Sequence, residues 1–209
     1  IWGAAWDMTR DAEMSAGDYV DLAISGLRRE GDIGVVSMTV RQLGSVIEQF
    51  AAPANRDAYR DRIALAFKDY ALAAEAGSDH QLAFLRGFMA NGRSSEDQRW
   101  LTAVLDGSEQ VEGLAVDADL RWSIVTRLVA LGASEALIDD ELTRDDTATG
   151  RRHAALARAA RPTVEAKESA WAAAVEGDEL SNAILGATVG GFNQPDQRDL
   201  LRPFVDKYV

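Results

Sequence analysis

Histidines are the first residues to examine for chemistry, because imidazole is a common metal ligand and a frequent general base. The chain has two, His80 and His153, which lie far apart in the sequence. Neither belongs to an H-E-x-x-H motif, in which two imidazoles on one helical face hold a zinc ion. His80 follows Asp79 at the start of a periodic apolar stretch, where an acidic side chain favours the positive end of the helix dipole. We interpret this pair as the first turn of a helix.

An acidic cluster in residues 139–146 is a second candidate cation site. A calcium loop needs oxygen ligands at alternate positions, followed by a glycine. The alternate positions before Gly150 are Asp145 and two threonines, which carry too little charge. The sequence therefore favours the solvated end of a helix for this cluster, which consists of Asp139, Asp140, Glu141, Asp145 and Asp146.

No covalent nucleophile stands out in the sequence. There is no cysteine, which excludes disulfides, thiolate zinc sites and a thiol nucleophile. No serine occupies a G-x-S-x-G nucleophile elbow, and the segment from Gly186 to Gly190 has a threonine at its centre. This segment favours close helix packing through small residues.

Four arginines form a basic stripe around His153, which we call the arginine stripe: Arg151, Arg152, Arg158 and Arg161. Arginine binds carboxylates in a two-pronged way, so an anion or peptide-carboxylate site is one interpretation. Glu165, Glu168 and the acidic turn lie close in sequence, and they favour pairing within the chain.

Arg121 and Trp122 are the residues that we single out as candidate ligand contacts. Trp122 lies off the apolar stripe formed by Leu120, Ile124 and Leu128. An arginine beside an aromatic side chain on a concave wall could contact a substrate, whereas packing between helices is the alternative.

Helical periodicity is the signal that predicts the elements around these residues. Apolar residues recur at intervals of three and four along most of the chain, for example at Ile33, Val36, Val40, Leu43, Ile47 and Phe50. No stretch alternates like a strand. The pattern predicts an all-α fold with about a dozen antiparallel helices, arranged as a HEAT-like helical solenoid (a right-handed α-α superhelix), with an irregular bundle as the alternative.

Local signals predict where helices begin and end. Ser15 and Ser78 are predicted N-caps, and Pro53 and Pro162 are predicted first helical positions. Pro203 should kink or end the last helix. Left-handed C-caps are predicted at Gly77, Gly92, Gly107, Gly132 and Gly177.

Composition bounds the domain organisation and the partners. We expect one helical domain over residues 1–209, with two halves, 1–106 and 117–209, joined by a linker. The formal net charge of −12 opposes a nucleic-acid partner. No apolar run approaches the roughly 20 residues that span a bilayer, no signal peptide is visible, and the lack of cysteine is compatible with the cytoplasm. Because Ile1 opens the chain inside an amphipathic stretch, we expect a piece of a longer polypeptide.

Several segments resemble the actinobacterial aminopeptidase N family of zinc metallopeptidases. They are Trp2-Gly-Ala-Ala-Trp-Asp-Met-Thr-Arg10, Asp117-Ala-Asp-Leu-Arg-Trp122, residues 128–132, Ile138-Asp-Asp-Glu-Leu142, Asp146-Thr-Ala-Thr-Gly-Arg-Arg152, Ala159-Ala-Arg-Pro-Thr163, Lys167 and Trp171. The resemblance covers the whole chain and implies the C-terminal domain of such an enzyme, a bowl of HEAT-like helix pairs over the catalytic domain.

What the resemblance implies is a supporting role in an enzyme that releases N-terminal amino acids from peptides. The family holds zinc with H-E-x-x-H and a downstream glutamate, and it grips the substrate's amine with G-x-M-E-N. The first motif is missing here, and Gly87-Phe-Met-Ala-Asn91 departs from the second at Ala90. We therefore expect no catalytic or metal-binding residue in this chain, zinc in the parent enzyme only, and chamber contacts at Arg121 and Trp122. The rival hypothesis is a stand-alone α-solenoid that binds another protein.

Overall fold

In the computed structural model, which describes residues 1–208, the chain folds into twelve α-helices and, within those residues, no β-strand. The prediction of an all-α fold with about a dozen helices is confirmed. The helices are α1 (Trp2–Arg10), α2 (Ala16–Leu27), α3 (Ile33–Ser45), α4 (Pro53–Ala73), α5 (Asp79–Asn91), α6 (Ser95–Asp106), α7 (Ala118–Ala130), α8 (Ala136–Arg144), α9 (Ala148–Ala160), α10 (Val164–Trp171), α11 (Asn182–Phe192) and α12 (Arg198–Tyr208). Short π-helical segments, Val46–Phe50 and Ala172–Glu176, extend α3 and α10, and a 3₁₀ turn, Pro195–Gln197, precedes α12.

The chain divides into two compact units. Unit 1 comprises Ile1–Gln98 and Glu109–Ala115, and unit 2 comprises Arg99–Ser108 and the chain from Val116 onward. The division falls inside α6, so this helix contributes residues to both units.

Unit 1 packs α4 along α5, and it also packs helices that are two apart in sequence, α2 with α4 and α3 with α5. The apolar stripe predicted for residues 33–50 contributes buried Val36, Leu43 and Ile47, whereas Phe50 at its end is exposed. Other large side chains buried in this unit are Tyr19, Leu27, Ile63, Phe67, Leu85 and Phe88.

Unit 2 packs α7 against α9 and α9 against α11, while α10 contacts α9, α11 and α12. Contacts between alternate helices are the arrangement expected when helix pairs stack in HEAT-like arrays. Apolar residues of α7 fill the core beside small residues of α9: Leu120, Ile124, Val125, Leu128 and Val129 from α7, and Ala154, Ala157 and Ala160 from α9.

The serine caps follow the prediction. The hydroxyl oxygen of Ser15 accepts a hydrogen bond from the Asp18 amide at 3.1 Å, and that of Ser78 accepts from the Gln81 amide at 3.1 Å. Each bond satisfies an amide of the first helical turn that has no partner inside the helix. Asp79 and His80 consequently form the first turn of α5, as predicted.

The glycine caps are only partly confirmed. Gly77, Gly107 and Gly132 have positive φ, but the prediction is wrong for Gly92 and Gly177, whose φ angles are −66° and −97°. At both of these positions the chain leaves its helix in an extended conformation, which any residue can adopt.

One proline prediction also requires correction. Pro53 is the first residue of α4, as predicted. Pro162 instead precedes Thr163, the N-cap of α10, and so lies outside the helix. The helix α12 does not end at Pro203 but continues through it.

None of the helices within residues 1–208 is long and apolar enough to cross a membrane.

Candidate functional site

Arg121 lies in the first turns of α7, and its guanidinium is held from two directions. The Nε and Nη2 atoms donate to the two carboxylate oxygens of Glu141 at 2.8 and 2.7 Å, and Nη1 donates to the Leu105 carbonyl at 2.8 Å. The hydrogen bonds to Glu141 raise the pKa of Arg121 above its ordinary value. A guanidinium with three directed contacts has a fixed orientation.

Glu141 corrects the interpretation of the acidic cluster as a solvated helix end. Its side chain is only 5% exposed, because it lies one turn after the fully buried Ile138 on the inner face of α8. The pair with Arg121 neutralises it there, as a buried carboxylate requires. Other members of the cluster remain exposed: Asp139, Asp140 and Asp146.

Trp122 is fully buried, so the inference that it lies off the buried face of α7 is wrong. The reason is that α7 contacts both α8 and α9. A second row of α7, Trp122, Val125 and Val129, is therefore covered as well.

The buried indole of Trp122 joins three elements of unit 2. Its Nε1 donates to the Asp145 carboxylate at 2.9 Å, and its ring stacks on His153 with the centroids 5.9 Å apart. His153 in turn lies 3.6 Å from a carboxylate oxygen of Asp119 on α7. Hydrogen bonds from Thr147 and from Trp122 lower the pKa of Asp145 and keep it ionised. These contacts give Trp122 and His153 a structural role.

The arginine stripe pairs within the chain, as the sequence favours, but with partners other than Glu165 and Glu168. The partners lie in α8 or at its N-cap, in the turn before α9 and in α9 itself: Arg151 bonds to Asp146, Arg152 to Thr149, Arg158 to Asp139 and Arg161 to Glu135. The cations are thus occupied by neighbours in unit 2.

A polar junction that the sequence did not single out as a site joins the C-terminal ends of three helices. Nζ of Lys167 donates to the carbonyl of Ala159, one residue before the end of α9, at 2.7 Å. It also donates to the carbonyl of Phe192, the last residue of α11, at 3.1 Å. Nε2 of Gln197 donates to the last carbonyls of α7 and α9, those of Ala130 and Ala160. These donors satisfy carbonyls that have no partner inside their helices and that carry the negative end of the helix dipole.

The signal for Lys167 is present in the sequence as spacing. Lys167 is fully buried, with Ala170 and Trp171 three and four residues later on the same buried face of α10. Its burial lowers its pKa from 10.5 to about 8.

The glycine-rich segments serve helix packing. Gly87-Phe-Met-Ala-Asn91 lies inside α5, where a side chain at Gly87 would collide with Phe67. In α11 the residue in close contact is Gly191, whose position faces the Leu156 carbonyl and Ala159 of α9. Gly186 has open space around it, so the small-residue contact lies nearer the end of α11 than the sequence predicted.

The histidines stay in separate neighbourhoods, and no metal-ligand group is formed around them. His80 belongs to unit 1, where its Nε2 lies 3.1 Å from the Glu30 carbonyl oxygen. Across residues 1–208, three or more His, Cys, Asp or Glu side chains nowhere come together as a potential metal site. Around Arg121 and Trp122, the charged side chains are held in place by hydrogen bonds, and the charges of Arg121 and Glu141 neutralise each other.

Comparison with known proteins adds two findings. The profile of a family described as the ERAP1-like C-terminal domain matches residues 1–209. The chain is also similar to a protein named aminopeptidase N from Streptomyces lividans, with 50% identity over 208 residues. This match covers 99% of the chain but only 24% of the relative, so the chain spans about a quarter of that protein.

Proposed function

Because the chain belongs to the family of ERAP1-like C-terminal domains, we propose that its parent polypeptide is a zinc-dependent aminopeptidase, which releases N-terminal amino acids from peptides. In this proposal, residues 1–209 form its C-terminal domain and have no activity alone. The observation that carries the proposal is the 50% identity to aminopeptidase N over nearly the whole chain.

The side chains of this segment support a non-catalytic role. The sequence contains no H-E-x-x-H, and Ala90 stands where G-x-M-E-N has the glutamate that would pair with an ammonium. The ligands for zinc and the carboxylate for the substrate's amine must therefore come from another part of the polypeptide. We assign no step of peptide hydrolysis to these residues.

The role that we propose for the domain is to cover the active-site chamber and to shape the access of peptides. Its partners are then the catalytic domain of the same polypeptide and the peptide substrates. A net charge of −12 supports the exclusion of nucleic acid as a partner. We further propose a cytoplasmic location without a membrane partner, with which the lack of cysteine is compatible.

The proposal does not include the substrate contacts that the sequence suggested at Arg121 and Trp122. Trp122 has no exposed surface, and Arg121 already makes three hydrogen bonds. We propose that both residues act by holding α7, α8 and the turn before α9 in register, and that substrate meets other side chains.

The proposal is tested by assaying the purified chain and the complete parent polypeptide with leucine p-nitroanilide and added zinc. We expect turnover by the parent only, and loss of that turnover when the glutamate of its H-E-x-x-H motif is replaced by glutamine. Turnover by the 209-residue chain would overturn the non-catalytic assignment. A gene that encodes these residues without an upstream H-E-x-x-H would instead support the stand-alone scaffold.

A further inference from the structure

A cleft of about 410 Å³ in unit 1 has no role in the function proposed above. It lies where the end of α2, the end of α4 and the start of α5 meet. This volume is at the small end of the range of ligand pockets, so the cleft suits a small molecule better than a folded segment of protein.

The apolar side of the cleft is rigid. Leu27, which is fully buried, and Phe84, which is 4% exposed, lie behind its surface and support it. The ring of Tyr70 packs edge-on against Phe84, with the centroids 5.3 Å apart, and its hydroxyl donates to the Ile24 carbonyl at 2.5 Å. Packing and this hydrogen bond fix the half-buried ring of Tyr70 in place. Tyr70, with Ala73 and Ala74 in the same lining, can therefore receive an apolar side chain without rearrangement.

One carboxylate of the lining, that of Glu30, is already occupied. It accepts hydrogen bonds from the Trp2 indole at 2.8 Å and from the Asp32 amide at 3.0 Å. These bonds lower the pKa of Glu30, which therefore stays ionised. Its own carbonyl oxygen is engaged by Nε2 of His80, which leaves the other ring nitrogen available to a ligand.

Arg28 and Glu75 line the same cleft, and both side chains are exposed. Within residues 1–208, no side chain or backbone group forms a hydrogen bond or an ion pair with either of these two charged groups. A guanidinium offers a two-pronged site for a carboxylate, and a carboxylate is the natural partner of an ammonium. The cleft thus presents one free cation and one free anion beside an apolar wall.

We propose that this cleft binds a small zwitterion of the α-amino acid type, with its carboxylate on Arg28, its ammonium on Glu75 and an apolar side chain against Tyr70, Ala73 and Ala74. Free amino acids and short peptides share this chemistry. Because the proposal concerns binding to unit 1, it does not depend on the peptidase activity of the parent polypeptide.

The test is calorimetric titration of the protein with L-leucine, N-acetyl-L-leucine, L-leucinamide and L-leucyl-L-leucine. We expect saturable binding of leucine, and affinities at least tenfold weaker for the two derivatives that each lack one charge. Binding of the dipeptide more tightly than leucine would identify short peptides as the ligand; the reverse order would identify free amino acids.

Matched variants separate the site from general charge effects. Arg28→Gln and Glu75→Gln should each weaken leucine binding at least tenfold, whereas Arg29→Gln and Glu109→Gln change exposed charges of unit 1 outside the cleft and should leave it unchanged. Circular dichroism checks that each variant is folded. Absence of saturable leucine binding, equal binding of the capped derivatives, or equal losses in the control variants would overturn the proposal.

Discussion

At the scale of single residues, unit 2 holds two buried or half-buried cations in different ways. Arg121 is paired with the carboxylate of Glu141, whereas Lys167 contacts the carbonyls of Ala159 and Phe192 and the ring of Phe192, 5.7 Å from Nζ. A full opposite charge favours the ionised form more strongly than carbonyl dipoles do. Burial therefore dominates at Lys167 and lowers its pKa to about 8.

Lys167 should make the stability of the protein depend on alkaline pH. Its pKa falls from 10.5 in the unfolded chain to about 8 in the fold, so the unfolded chain binds more protons between these values. The free energy of unfolding should then rise with pH in this window, by up to about 3 kcal/mol. In Lys167→Met this rise should be absent.

The measurement is urea unfolding from pH 7 to pH 10.5 for the parent protein, Lys167→Met and Lys207→Met. Lys207 is exposed on α12, so its variant should follow the parent protein. If Lys167→Met showed the same pH dependence as the parent, the ammonium would not be the group that titrates.

These buried charges were hard to predict from the sequence, because charged residues are mostly exposed and a run of apolar residues predicts a core more directly. Helical spacing places Lys167 with Trp171, and Glu141 with Ile138, on buried faces. It does not reveal which carbonyls or guanidinium lie opposite, because those belong to helices brought together only by the fold. Trp122 was misplaced for the same reason, since a helix covered on two sides has two buried rows.

At the scale of helices, the close approach of α9 and α11 depends on small residues at their contact. Ala157 and Ala160 of α9 are fully buried, and Gly191 of α11 faces the Leu156 backbone. The carbonyls at the ends of both helices are then close enough for Lys167 to bridge them.

Gly191 and Gly186 provide a matched pair of substitutions on α11. Gly191→Ala places a methyl group against the Leu156 carbonyl, which forces the helices apart and should destabilise the protein by about 1–3 kcal/mol or more. Gly186→Ala meets no atom within 4 Å and should stabilise α11 by about 0.5–1 kcal/mol through its helix propensity. Thermal unfolding of both variants measures the difference, and destabilisation by Gly186→Ala of the same size would contradict this account of the contact.

Helix boundaries were predictable where their cause is local. The serine caps at Ser15 and Ser78 depend on a hydroxyl and an amide three residues apart, so the sequence contains the whole interaction. The conformations of Gly92 and Gly177 depend on where the chain goes after the helix. The path of the chain is set by packing with other helices, and sequence spacing alone does not contain it.

At the scale of the whole chain, the boundary between the two units does not fall where the expected halves, 1–106 and 117–209, would place it. Residues 99–108 belong with unit 2, and residues 109–115 belong with unit 1. Apolar periodicity runs without interruption through α6 and therefore marks no boundary there, whereas the glycines after α6 suggested one. Inside unit 1, Gly113 lies against Gly77, and the Glu112 carbonyl accepts from Gln81 at 2.9 Å.

This division predicts that a fragment which begins at Arg99 is more stable than one which begins at Asp117. Without residues 99–108, the Nη1 group of Arg121 loses its acceptor, the Leu105 carbonyl, and a partly buried donor without a partner costs about 1–3 kcal/mol. Loss of the apolar residues Leu101 and Val104, both buried, should add to that difference. Urea unfolding of the two fragments measures it, with Leu101→Ala in the longer fragment as a control that should remove part of the gain. If the two fragments had the same free energy of unfolding, residues 99–108 would contribute nothing to unit 2, and the boundary would lie after α6.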